Sequence, residues 1–278
     1  MPYPLAQWRL LLSPLADGPT NMALDEALLL NVATGEAPPT LRFFRWSPPC
    51  LSLGYAQPAG EVDPERLSHF GFDLVRRPTG GRAILHTDEL TYSIAAPAGE
   101  ERVQGGVVES YRHLSAGLRR GLEHLGLEVR ADKEYSEREK LTAVAQGPVC
   151  FEVPSNYEIT AGEKKLVGSA QVRKQGGILQ HGTLPLTGDV ARICEGLKFD
   201  SAAERELARA RVHQRATTVA EVLQREVSWE EAAAAMARGF AEALNLTLAE
   251  STPTSKEIEL AGRLREEKYA AVEWNYRI

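Results

Sequence analysis

One cysteine, a lysine pair and several small or polar residues fall between Gly147 and His181, as GPVCFEVPSNYEI and then GEKKLVGSAQVRKQGGILQHG. A thiol is nucleophilic as its thiolate, which forms where the side chain is partly exposed and positive charge is near. Cys150 ends a polar segment and opens an apolar one, so it suits either a nucleophilic thiol or a structural cysteine. The cations and bases that could serve it are Lys164, Lys165, Arg76, Arg77, Arg82, His86 and His181; spacing alone sets none of them beside the sulfur. Lys165 heads the apolar run Leu166-Val167-Gly168, where it either points to solvent or turns inward to hold a carbonyl. The small residues Gly168-Ser169-Ala170 leave room for a slim chain beside it, and Gln180-His181-Gly182 breaks a second apolar strand as a pocket wall would.

A second constellation is the turn Pro78-Thr79-Gly80-Gly81, flanked by Arg76, Arg77 and Arg82. Glycines let a backbone approach a ligand closely, and arginines beside them suit phosphate or carboxylate groups. A plain hairpin turn with solvated arginines reads equally well. Cys50 abuts the Ser47-Pro48-Pro49 turn and begins an apolar strand, and Cys194 sits between Ile193 and Leu197; both read as packed thiols. His113 and His124 read as ordinary helix residues.

The elements that must position these groups follow from periodicity. Strands are expected at Trp8 to Ser13, on both sides of Ser47-Pro48-Pro49, from Leu74, from Arg82 to His86 and over Thr91 to Ala96. Ser155 to Thr160 and Lys164 to Arg173 form a pair joined at Ala161-Gly162-Glu163, and Gly177 to Leu186 is a further strand. A helix capped by Thr20 or Asn21 carries Asp25 and Glu26 in its first turns, where the dipole favours anions. Val107 to Leu125 is a second helix, stopped by Gly126. Residues 131–146 are charged and read as a loop. Helices are expected at 188–196, 201–210, 216–225, 229–245 and 253–269. The fold class is therefore α+β: a mixed, largely antiparallel sheet flanked by helices, with a helical C-terminal region.

The chain has 278 residues, 43% hydrophobic and 25% charged, with a formal net charge of −6. That length buries a large core, and the charge gives no global footprint for nucleic acid. Three cysteines without a CxxC pair make neither a disulfide framework nor a zinc site. The N-terminus lacks a signal-peptide pattern, and no apolar run approaches the roughly 20 residues of a membrane span. No nucleic acid, membrane or metal is expected, and the expected compartment is the cytoplasm.

Five motifs in order, NMALDEALL, RRPTGGRAILHTDELTYS, VCFEVPSNYEI, KKLVGSAQVRKQGGILQHG and KYAAVEWN, resemble the lipoate–protein ligase A / octanoyltransferase superfamily, related in fold to biotin–protein ligase. The wording is most similar to the LipM-type octanoyltransferases, and the likeness runs from Trp8 to Tyr276. It implies a biotin/lipoate ligase-like catalytic domain with an acyl slot, and an enzyme of lipoate biosynthesis. The donor would be octanoyl-acyl carrier protein. The acceptor would be a lysine of the glycine-cleavage H protein or of a lipoyl domain of a 2-oxoacid dehydrogenase. Cys150 matches the family's acyl-accepting cysteine and Lys165 the lysine that contacts the acyl carbonyl. Arg76, Arg77, Gly80, Gly81 and His86 match the loop lining the acyl pocket; Gly168, Ser169 and His181 are taken as further substrate-binding residues.

The resemblance implies no cofactor: neither metal, ATP nor nucleotide. The ligases carry a third glycine where Arg82 stands and an accessory domain after the KY…WN segment, so a single catalytic domain over 1–278 without that accessory part is expected. The competing readings are an ATP-dependent lipoate–protein ligase and an amidotransferase taking octanoyl from the H protein. A non-catalytic acyl-binding module and a Cys/His hydrolase stand further off.

Overall fold

The computed structural model describes residues 3–131, 149 and 158–278. Among these, seven strands form one sheet. Its members are β1 (Ala6–Leu12), β2 (Thr40–Phe44), β6 (Glu89–Pro97), β7 (Ile159–Ala161), β8 (Lys164–Lys174), β9 (Gly177–Pro185) and β10 (Leu246–Ser251). Their spatial order is β10-β1-β2-β6-β9-β8-β7. The β10–β1 and β1–β2 pairs are parallel, and every other pair is antiparallel. A smaller sheet, β4-β3-β5, consists of β3 (Cys50–Leu53), β4 (Asp73–Arg76) and β5 (Ile84–His86). The mixed, largely antiparallel α+β architecture is the one expected.

Strand alternation gives the large sheet two different faces. One face sends Trp8, Leu10, Leu41, Phe43, Leu90, Tyr92, Ile94 and Ile178 into the main core. That core is closed by α3 (Val107–His124) and α6 (Trp229–Leu244), reached through α4 (Ala202–Arg215) and α5 (Val219–Leu223). The other face meets α1 (Gly18–Ala33) and the small sheet. Helix α1 begins earlier than its sequence suggests. Asp17 is the N-cap, its carboxylate accepting the Thr20 N–H at 2.8 Å, and Pro19 fills the first turn. Such a cap contributes about 1 kcal/mol. Asp25 and Glu26 therefore sit mid-helix, and both are buried.

Two other expectations are corrected, and two features were not foreseen. The segments after Leu74 and Arg82 do not form a hairpin, because β3 lies between β4, to which it is parallel, and β5, to which it is antiparallel. The strands beside Ser47-Pro48-Pro49 enter different sheets. The C-terminal region is not all helical: β10 returns to pair with β1, and 255–269 divides into α7 (Ser255–Leu264) and a π-helical turn, Arg265–Tyr269. A short helix, α2 (Pro64–Phe70), capped by Asp63, was not expected. The loop expected over 131–146 lies outside the described residues apart from Ala131, as does the first part of the strand expected at Ser155.

Candidate active site

Two cross-strand rows make the floor of a cavity on the α1 side of the large sheet. Register aligns Phe44, Thr91, Thr183 and Gly168 in one row, and Arg42, Ser93, His181 and Ala170 in the next. Each row tapers from a large side chain on β2 to a glycine or alanine on β8. The hollow therefore opens over β9 and β8. It is lined also by Met22, Trp46, Arg77, Gly81, Ile84 and His86.

The walls are held by two networks built alike. His181 bonds Asp25 Oδ2 through Nδ1 at 3.0 Å and Thr79 Oγ1 through Nε2 at 2.7 Å. Asp25 also accepts from Arg42 and Ser93, each at 2.8 Å. Burial pushes the Asp25 carboxyl up, but the His181 hydrogen bond and the Arg42 charge outweigh it and hold the group below the ordinary range. Burial pulls the His181 imidazole down despite Asp25, so it is neutral near pH 7. A carboxylate can only accept; Nδ1 therefore carries the His181 proton and Nε2 receives the Thr79 hydroxyl.

The second network centres on His86. Its Nδ1 meets Glu89 Oε1 at 2.6 Å and its Nε2 meets Ser52 Oγ at 2.8 Å. The Thr91 hydroxyl donates to the same Glu89 oxygen, and Trp46 Nε1–H donates to Thr91. The Trp46 indole stacks on the His86 ring with centroids 4.0 Å apart. The arrangement fixes one wall of the cavity as a rigid aromatic plate.

The double-glycine turn closes the rim. Gly81 takes a φ of 94°, open to glycine, and a Cβ there would meet Arg77 Nη2 at 2.9 Å. Arg77 is buried and binds inward, to Ser52 O and Oγ and to the carbonyls of Gly80 and Arg82. It braces the turn instead of standing in solvent. Arg82 reaches away to Glu61 at 3.1 Å.

Of the residues expected at the site, Arg77, Gly81, His86, Gly168, Ser169 and His181 line this cavity. Gly80 lines a neighbouring open cleft with Tyr55, Gln57 and Arg82. Arg76, expected on the pocket wall, is not there. Its buried guanidinium is spent on carbonyls of Gly54, Gln57, Asn275 and Arg277, and it ties the C-terminal segment to the 54–57 loop. The KY…WN motif reinforces that tie. Asn275 Oδ1 accepts the Arg76 N–H at 2.7 Å, and Tyr269 and Lys268 both bind Glu26. Ser169 contributes its backbone side; its hydroxyl bonds Tyr92 on the opposite face of the sheet.

Lys165 reaches the cavity face through a β-bulge. Thr160 opposes Lys165 while Ile159 opposes Val167, leaving Leu166 as the extra residue. Leu166 and Val167 both enter the main core. Without the bulge Lys165 would share the Val167 face; with it, Lys165 faces the same way as Gly168 and Ala170. It is 5% exposed, and its Nζ donates to the buried Glu158 carboxylate at 2.6 Å.

Cys150 lies outside the described residues. Its chain neighbour Val149 is fully buried and bridges Ala83, two residues beyond Gly81. Ala83, Val149 and Ala216 share one apolar cluster, and Lys165 bridges Ala216. The other cysteines are core thiols as expected: Cys50 and Cys194 are buried, and burial drives the Cys50 thiol well above its ordinary value.

Asp25, Thr79, Ser52, Glu89 and Trp46 were missed by sequence reasoning. A signal existed for Asp25, an acid inside the apolar helix run MALDEALLL; the others carry none. Among the described residues no group of His, Cys, Asp and Glu could hold a metal ion, and no helix is long and apolar enough to cross a membrane.

The chain belongs to the lipoyl protein ligase A/B catalytic domain family, which it matches over residues 17–241. It is 44% identical over 273 residues to the octanoyltransferase LipM of Symbiobacterium thermophilum, covering 97% of this chain and 98% of that protein. It is 41% identical over 275 residues to the octanoyltransferase LipM of Exiguobacterium sibiricum, with 98% and 99% covered. Among solved structures, the bipartite lipoate–protein ligase of Thermoplasma acidophilum superposes with a TM-score of 0.81 at 27% identity, over 98% of this chain and 96% of that one.

Proposed function

We propose that the protein is an octanoyltransferase of lipoate biosynthesis. It takes octanoyl from octanoyl-acyl carrier protein onto Cys150 as a thioester and passes it to the lipoyl lysine of the glycine-cleavage H protein or of a lipoyl domain. The observation that carries the reading is the link of both segments to one apolar cluster: Val149, the residue before the thiol, bridges Ala83, which directly precedes the cavity residue Ile84, and Lys165 bridges Ala216 of the same cluster. The full-length likeness to octanoyltransferases supports it.

The reaction has two displacements. The Cys150 thiolate attacks the donor thioester; the carbonyl electron pair moves to oxygen, returns, and expels the carrier thiolate. The acceptor amine then attacks the enzyme thioester, expels the Cys150 thiolate and loses a proton to leave an amide. Thioester exchange is nearly balanced, so amide formation drives the sequence. Lys165 supplies positive charge to the carbonyl oxygen in both steps, where a preorganised donor is worth most. The apolar surfaces of Met22, Trp46, Ile84 and Ala170 hold the alkyl chain away from water. No step consumes ATP.

The test mixes the protein with octanoyl-acyl carrier protein in the absence of ATP and reads intact mass. A single octanoyl adduct, absent in Cys150→Ser, supports transfer. Modification that needs free octanoate and ATP makes the protein a ligase. Loading from octanoyl-H protein but not from the carrier protein makes it an amidotransferase.

A further inference from the structure

Thr183 stands at the centre of the cavity floor, between Thr91 on β6 and Gly168 on β8. It is 1% exposed, and among the described residues its Oγ1 has no hydrogen-bond partner. Its polar neighbours around the cavity are engaged: Thr91 with Glu89 and Trp46, His86 with Glu89 and Ser52, His181 with Asp25 and Thr79. Arg77, which also lines the cavity, is engaged with Ser52, Gly80 and Arg82, and Met22, Trp46, Ile84 and Ala170 are apolar. A buried hydroxyl left unbonded is disfavoured, and buried polar groups are so regularly paired that an exception points to a partner that comes and goes. An alkyl chain cannot be that partner. The polar atom that an acyl ligand carries is its carbonyl oxygen.

We infer that the Thr183 hydroxyl donates a hydrogen bond to the carbonyl oxygen of the bound acyl group, in the hollow above Gly168. This rests on the acyltransferase reading and adds a residue to it. Thr183 stands on β9 directly opposite Gly168, on the side of the sheet to which the bulge also turns Lys165. Glycine opposite Thr183 leaves the carbonyl its space. Thr183 keeps its proton throughout; it steadies the oxygen as charge builds there, while the carbon–sulfur bonds form and break at the thiol. Its hydroxyl is thereby a catalytic contact, and its methyl group packs as part of the floor.

Thr183→Val removes the hydroxyl at nearly constant shape, and Thr183→Ser keeps it. Two readouts separate this inference from the reading it rests on. The first is single-turnover acylation by octanoyl-acyl carrier protein; Thr183→Val is expected to be slower by about 10²-fold and Thr183→Ser by only a few fold. The second uses octanamide, a neutral probe with the same carbonyl and chain, titrated into each protein. Thr183→Val is expected to bind it roughly tenfold more weakly than wild type, and Thr183→Ser nearly as well as wild type. Thr183→Val should melt no lower than wild type, since it removes an unbonded buried hydroxyl. Octanamide binding that is equal in all three proteins overturns the inference. A wild-type protein that binds octanamide in this pattern but takes no octanoyl from the carrier protein leaves the Thr183 contact standing and sinks the donor instead.

Discussion

Replacing Asp25 by asparagine keeps the shape of a wholly buried side chain and removes its charge. The carboxylate accepts hydrogen bonds from Arg42, Ser93 and His181, and Arg42 is 1% exposed. Asparagine leaves the guanidinium buried beside a neutral group and turns an amide N–H toward one of three donors. Removing one partner of a buried ion pair costs about 3–5 kcal/mol, because the remaining charge is stranded. For a chain of this size each kcal/mol moves Tm by about 2–4 °C, so the expected loss is roughly 6–20 °C. Arg42→Met strands the opposite charge and should lose a comparable amount. The double variant strands neither, so its loss should fall short of the sum of the two by about 1–3 kcal/mol. Urea denaturation of the four proteins closes the cycle. A coupling near zero, or a loss below about 1 kcal/mol in Asp25→Asn, refutes the buried pair as the anchor of the His181 wall.

Three further outcomes follow from the same geometry. Lys165→Met should slow acyl transfer by about 10²-fold while iodoacetamide still labels Cys150, since the lysine acts on the carbonyl and not on the thiol. His181 is held below its ordinary pKa by burial, so the unfolded chain takes up the proton first. Stability is therefore full above about pH 6.5 and falls as pH drops toward the folded value, and this part of the acid sensitivity should vanish in His181→Gln, as read from Tm against pH. Gly54→Ala would drive a Cβ to 1.9 Å from the Gly81 carbonyl, so the double-glycine rim must shift. It should lose about 1–3 kcal/mol and weaken octanamide binding, measured by denaturation and by titration.

The sheet, its dominant antiparallel pairing and the apolar α1 were legible because periodicity of 2 and of 3.6 is local. Partner choice was not. That β3 slips between β4 and β5 depends on pairings as distant along the chain as Cys50 with His86, and nothing in RRPTGGRAILH distinguishes it from a hairpin. The same limit hid the fate of the arginines. Arg76 and Arg77 are neighbours in an apparently polar turn, yet one staples the C-terminus and the other braces the rim. Lys165 is the sharpest example. Counting by twos from Val167 sends it to the core face, and only the extra residue at Leu166 returns it to the other side of the sheet. Thr183 gave no sign at all, since an unbonded hydroxyl is defined by what surrounds it.

The central claim is that Cys150 carries the acyl group between two partner proteins. It is tested most directly by loading the enzyme from octanoyl-acyl carrier protein, mapping the adduct by peptide mass, and then adding a lipoyl domain. The octanoyl mass should sit on the Cys150 peptide and leave it as the lipoyl lysine gains it, within one turnover. An adduct on another residue, or a Cys150→Ser protein that modifies the lipoyl domain at the wild-type rate, would contradict the account.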